Sequence, residues 1–268
     1  EGFSAVGAAT FDAYVRSWTV VLAIFCGLLV LLGVYHVRAL PAGGGAAERH
    51  SLRDGLSGLK EVVGAFFQKK HIWYYLGFII LYRLGEGFVM KIVPLFLKAD
   101  TASGGLGLTN QQIGLYYGTF GAGAFLLGSL LAGYYIAHRG LRRTLFILCC
   151  IFNIPFAVYA LLAWLQPQSM WIVGGGIVLE YFGYGFGFVG LTLFMMQQVA
   201  PGRHQMAHYA FASGIMNLSV MLTGAVSGYL SDALGYGMFF LAVMLATVPA
   251  FLVTWFVPFT YDDKPNDK

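Results

Sequence analysis

Seven stretches of about twenty or more residues, nearly free of charge, run through this chain and leave only short segments between them. An apolar helix of roughly 20 residues crosses the hydrocarbon core of a bilayer. In lipid, a helix satisfies all of its own backbone hydrogen bonds. The sequence therefore predicts an all-α, polytopic membrane protein. The stretches run roughly Trp18–Leu40, Ile72–Leu97, Gln111–Ile136, Thr144–Leu165, Trp171–Val199, Met206–Ser231 and Gly235–Pro258. Of the 268 residues, 58% are hydrophobic and 10% charged. A soluble domain carries about 25% charged residues and needs them as a polar shell around its core.

Two features support the division. All five tryptophans, Trp18, Trp73, Trp164, Trp171 and Trp255, fall near segment ends, as in the aromatic belts of membrane proteins. Alternate loops also differ in charge. One set holds Arg38, Arg49, Arg53, Lys60, Lys69, Lys70, Arg139, Arg142, Arg143, Arg203, Lys264 and Lys268; the other holds Arg16 and Lys98. Twelve against two puts the start of the chain outside the cytoplasm and the tail inside by the positive-inside rule. The net charge of +4 is thus loop charge between apolar runs, and no nucleic-acid partner is expected.

Between the first two stretches, a flexible Pro-Ala-Gly-Gly-Gly run is followed by Leu52, Leu56, Leu59, Val63 and Phe66 at helical spacing, with Arg53, Asp54, Lys60 and Glu61 among them. That pattern predicts an amphipathic helix on the cytoplasmic face. Cys26, Cys149 and Cys150 all sit in apolar runs and read as core thiols, not as a disulfide framework or zinc site. The chain opens on Glu-Gly-Phe without Met or a basic leader, which reads as a piece of a longer protein.

Arg83, Glu86, Lys91 and Glu180 lie inside apolar stretches. Such residues face a water-filled cavity or one another and are functional candidates by default. Arg83 and Glu86, three apart, share a helix face; they form either a neutralising pair or a pair that opens when a proton or substrate arrives. Lys91 could snorkel outward or touch substrate, and Pro94 is expected to kink or break its helix. Glu180 has no basic neighbour within a turn. Desolvation disfavours its charged form, making it the proton-coupling candidate; otherwise it is a hydrogen-bonding partner, or a counter-ion for Arg83 or Lys91. Gly183, Gly185, Gly187 and Gly190 follow it and serve close helix packing or a moving, interrupted helix at a substrate site.

Tyr209, Ser213 and Asn217 make one polar stripe, fit for interhelical hydrogen bonds or a polar pathway. His204 and His208 have ligand spacing but no carboxylate or cysteine nearby in sequence, so they read as interfacial histidines. Asn153 and Pro155 interrupt their helix; Gln197 and Gln198 end that of Glu180. Tyr82, Tyr116, Tyr117, Tyr181 and Tyr184 could stack on a ligand or pack the core. No catalytic motif, metal set or cofactor loop is present, so the chain is not expected to be an enzyme. A seven-helix receptor or retinal protein would match the topology, but the last stretch has no lysine. A membrane-embedded enzyme would lack its nucleophile and base.

Six helices after a cytoplasmic linker, with Gly-Tyr-Tyr-Ile-Ala-His-Arg-Gly-Leu-Arg-Arg at 133–143, resemble the second half of a major facilitator superfamily transporter. Ala137 stands where that signature has Asp, so no charge-relay role is carried over to this loop. Leu-Tyr-Arg-Leu-Gly-Glu-Gly-Phe at 81–88, Gly-Gly-Leu-Gly-Leu-Thr at 104–109 and Ile-Gly-Leu-Tyr-Tyr-Gly-Thr-Phe-Gly at 113–121 sharpen the match. Glu-Tyr-Phe-Gly-Tyr-Gly-Phe-Gly at 180–187, Ala-His-Tyr-Ala at 207–210 and Ser-Gly-Tyr-Leu-Ser-Asp-Ala-Leu-Gly-Tyr at 227–236 continue it. Together they resemble the muropeptide permease (AmpG-like) branch over about residues 50–258.

The resemblance implies residues 1–40 as the last helix of a missing N-terminal half, 41–70 as linker, 71–258 as the six-helix bundle and 259–268 as a cytoplasmic tail. It implies an inner-membrane, proton-driven importer of sugar-peptides, working by alternating access with the missing half as its partner. Glu86 falls where the family has a seventh-helix acid, and Glu180 opens its tenth-helix motif. Another anionic metabolite, such as acetyl-coenzyme A or a peptide, is the other substrate reading.

Overall fold

The computed structural model describes residues 3–40 and 52–261. Residues 41–51 and 262–268, with the glycine-rich run, Arg49, Lys264 and Lys268, lie outside the described residues. So do the side chains of Leu52, Arg53, Asp54 and Leu56. The helices are α1 (Phe3–Ala39), α2 (Leu52–Phe67), α3 (Ile72–Tyr82), α4 (Leu84–Lys98), α5 (Asn110–Arg139), α6 (Leu141–Leu165), α7 (Met170–Val199) and α8 (Gln205–Trp255). There is no strand among the described residues. The chain divides into two compact units, residues 1–55 and 56–268. The first contains α1, a helix apolar on every side, the pattern of a membrane span.

In the second unit, α5 packs along α7, α6 against α7, and α8 along α3 and α4. Five helices, α1, α5, α6, α7 and α8, are individually long and apolar enough to cross a membrane. Seven spans were expected, and two local events account for the difference. The expected span from Ile72 is broken at Arg83 (φ −100°, ψ 6°) into α3 and α4. Of the kink or break expected at Pro94, there is no break: α4 runs through it to Lys98. Neighbouring helices let a membrane span tolerate a proline.

The second event is at Gly235, whose φ of 71° and ψ of 161° interrupt α8. Before it, α8 follows α3 and α4 in the same sense: Ser219 Oγ donates to Ile80 O (3.2 Å), and Gly224 lies against Lys91. After it, the sense reverses. Tyr236 and Phe240 meet Phe96 (ring centroids 5.2 and 5.1 Å), and Tyr74 OH donates to Val253 O (3.0 Å). The chain has turned back at a residue whose positive φ a glycine adopts without strain, so α8 holds both spans predicted there. In α6, Ile154–Phe156 tightens into a 3₁₀ turn at the expected Asn153–Pro155 interruption.

Helix α2 docks through Phe66, which is buried against His208 and Phe211 (5.5 and 5.6 Å). His208 Nε2 lies 3.2 Å from Val62 O. Glu61 comes within 3.6 Å of His204 and 3.3 Å of Arg203. The histidine pair thus does have a carboxylate neighbour, supplied from a distant stretch of sequence by the docking of α2. Lys69 Nζ donates to the carbonyls of Val199 (2.5 Å), Ala200 (3.1 Å) and Pro201 (2.7 Å). These carbonyls end α7, where a cation also complements the helix dipole. Burial lowers the pKa of this ammonium from 10.5 by desolvation, and the three acceptors compensate for the lost water. Gln198 Oε1 accepts from Thr260 N (2.8 Å) and Tyr261 N (3.1 Å), tying down the segment after α8.

Gly128 of α5 and Gly185 of α7 bring the two helix backbones into close approach. A Cβ on Gly185 would lie 2.1 Å from Phe125 O, and one on Gly128 would lie 2.3 Å from Phe182 O. Gly175, also on α7, has open space beside it. Gly185→Leu should therefore lower stability by about 1–3 kcal/mol through overpacking, and Gly175→Ala should not. Thermal unfolding in detergent checks this, and equal midpoints for the two variants would contradict the packing. Lys69→Met should cost on the order of 2 kcal/mol, the worth of a charge-assisted bond, read as a lower unfolding midpoint.

Candidate functional site

The bend at Arg83 begins α4 and places Glu86 in its first turn. Arg83 donates through Nε and Nη2 to both carboxylate oxygens of Glu86. Both residues are buried, at 4% exposure each. The guanidinium carbon also stands 5.3 Å from the Phe188 ring centroid on α7, within cation–π range. The pair is therefore bidentate, with its faces covered by protein.

Glu180, on α7, is 6% exposed. Its partner is neither Arg83 nor Lys91: Tyr159 OH, from α6, donates to Oε2 at 2.9 Å. Tyr159 is fully buried and stacked on Phe240 (5.7 Å). Glu86 and Glu180 line one cavity with Tyr117, Tyr159, Tyr181 and Tyr184. Tyr117 and Tyr181 meet edge-on at 4.8 Å, and Tyr184 lies beside the Arg83–Glu86 pair. The cavity holds about 30 Å³, room for water and far too little for a sugar or peptide. Residues of α4, α5, α6 and α7 thus bring two acids and four tyrosines around one small cavity, and Tyr159 closes a hydrogen bond to Glu180 at its edge.

The other predicted residues lie elsewhere. Lys91 is exposed on α4, in a groove beside α8. Tyr209 and Ser213 are half-buried, and Asn217 is exposed, its Nδ2 donating to Ser213 O (3.0 Å). The buried polar face of α8 is a different one, formed by His208, Ser219, Thr223 and Ser227. The interhelical bond expected of the Tyr209 stripe is made by Ser219 instead, because the helix is rotated to that register. Gly183 and Gly187 abut α6, at Ile151 O and the Phe152 Cβ, and Gly185 abuts α5. The interrupted helix weighed for this glycine run is absent: α-helix continues unbroken from Met170 to Phe194. Tyr82 OH donates to Gly187 O (2.9 Å) in the core.

Tyr159 was not singled out by sequence. It sits in an apolar run with no polar neighbour, and only the packing of α6 on α7 aims it at Glu180. Breaking the buried ion pair from one side should be severe. Arg83→Met strands a buried carboxylate and should cost about 3–5 kcal/mol, whereas the double change Arg83→Met with Glu86→Gln should recover most of it. Unfolding midpoints in detergent read both, and a double variant as unstable as the single would refute the pairing energetics.

Comparison with known proteins follows the same segments. The anhydromuropeptide permease of Escherichia coli K12 is 26% identical over 188 residues, covering 70% of this chain and 37% of the permease. The putative transporter AmpG 2 of Rickettsia bellii is 24% identical over 195 residues, 72% of this chain and 46% of that protein. The putative transporter AmpG 1 of Rickettsia felis is 22% identical over 177 residues, 66% and 38%. The chain spans less than half the length of these relatives. Residues 80–268, which include every helix from α4 onward and the whole acid–tyrosine cavity, match the Major Facilitator Superfamily, and the chain belongs to that family of membrane transporters.

Proposed function

We propose that this chain is the C-terminal portion of a secondary active transporter that imports cell-wall muropeptides together with protons across the inner membrane. In this reading a further half-bundle completes the transporter, and the two rock about a central site. One observation carries the proton assignment: Glu86 and Glu180 share a cavity of about 30 Å³ with four tyrosines, a space that admits water and excludes substrate. Glu180, hydrogen-bonded to Tyr159, takes up and releases the proton; Glu86 exchanges its hold on Arg83 as the cavity opens to either side. Arg83 and Lys91 attract the anionic substrate. Tyr184 shares the cavity with the two acids, and Tyr209, Ser213 and Asn217 border the path. Gly183, Gly185 and Gly187 let α7 shift against α5 and α6, since without side chains the backbones slide past one another.

The relatives named as muropeptide permeases support the substrate class, and another anionic metabolite such as acetyl-coenzyme A is the alternative. Uptake into vesicles holding the whole transporter, with a pH gradient imposed, tests both. Glu180→Gln should abolish gradient-driven accumulation of anhydro-muropeptide and keep downhill exchange, because the substrate path is untouched. Glu86→Gln should do the same if it still folds with Arg83 unpaired. Full gradient-driven accumulation in Glu180→Gln would remove the proton assignment, and uptake of acetyl-coenzyme A in place of muropeptide would replace the substrate.

A further inference from the structure

A groove of about 410 Å³ runs between α4 and the first part of α8, lined among others by Lys91, Leu95, Gly224, Gly228, Tyr229 and Asp232. A Cβ at Gly224 would meet Lys91 Cγ at 3.0 Å and Cε at 3.4 Å. The aliphatic stem of Lys91 therefore packs across that glycine, and the residue lines the groove. Among the described residues, the ion pairs are those of Arg83 with Glu86 and of Arg203 and His204 with Glu61, so Lys91 has no carboxylate partner. Asp232, exposed at the other end, has no cationic partner either. From Gly224 to Asp232 is about 12 Å of helix at roughly 1.5 Å per residue.

An ammonium within an apolar span is costly and normally faces a polar space or a partner. Two opposite charges held apart in one groove, with small residues between them, form a template for a ligand with the reverse pair. We propose that this groove is a dipolar subsite for the peptide part of the substrate. A carboxylate of that peptide binds Lys91, and an ammonium binds Asp232. At roughly 3.4 Å per extended residue, the two ligand charges lie about three residues apart, so a single amino acid is too short to bridge them. Gly224 and Gly228 leave room for the peptide backbone, and the exposed ring of Tyr229 gives it a flat wall. Asp232 repels a purely anionic metabolite, so the subsite also selects peptides over polyanions. The inference rests on the sugar-peptide reading above and deepens it.

The test compares half-saturating concentrations for two substrates in vesicles holding the whole transporter: the sugar-peptide, and the same sugar without its peptide. Lys91→Met and Asp232→Asn should each raise the ratio of the first to the second about tenfold, the loss expected for one charge-assisted contact. Lys91→Arg should keep the ratio near that of the wild type. Asp232 is exposed, so its variant remains informative if Lys91→Met fails to fold. A ratio unchanged in Asp232→Asn overturns the subsite, as does a fall in affinity equal for both substrates. A wild-type transporter that takes up neither substrate overturns the permease reading, and the subsite falls with it.

Discussion

Charge that enters an apolar span must be matched inside the protein, and the Arg83–Glu86 pair is where this chain meets that demand most directly. Lipid offers neither hydrogen bonds nor screening, so an isolated guanidinium or carboxylate there is far costlier than a pair. The helix breaks at Arg83 between α3 and α4, and the pair follows within one turn. Phe188 covers the guanidinium from α7, which links the broken span to the helix carrying Glu180. The position of α7 against α4 is thus tied to a charged contact as well as to apolar packing.

Close backbone approach fixes the rest of that wall. Gly128 and Gly185 bring α5 against α7, while Gly183 and Gly187 bring α6 in from the other side. Without a hydrophobic drive between helices in lipid, such approaches supply the dispersion contacts that hold a bundle together. The same tightness explains the size of the acid–tyrosine cavity. Four aromatic rings fill the space between the helices and leave only enough volume for water beside the carboxylates. The space left beside Glu180 is of the size of a water molecule and far smaller than a sugar or peptide.

Around α2, the termini of several segments are secured by polar side chains. Lys69 closes the end of α7, Gln198 holds the segment after α8, and α2 lies over His208 through Phe66. The carbonyls at a helix end have no intrahelical partner, so these bonds do what continued helix cannot. They also join the approach to α3, the end of α7 and the exit from α8 into one assembly.

Sequence alone was enough for the class of the protein, an all-α polytopic membrane chain, because in lipid the length of the apolar runs is the structure-determining term. The pairing of Arg83 with Glu86 was legible too, since three residues on a helix make one face. The family was legible from the order and spacing of short motifs. Tertiary structure alone decided who meets Glu180. Tyr159 lies in a stretch with no polar signal, and its distance from Glu180 depends on how α6 packs on α7. The rotation of α8 likewise put Ser219 and Thr223 in the interior instead of Tyr209, Ser213 and Asn217. The break fell at Arg83 and not at Pro94, where neighbouring helices tolerate the proline. Periodicity says which residues share a face; which face turns inward is settled only by the helices packed around it.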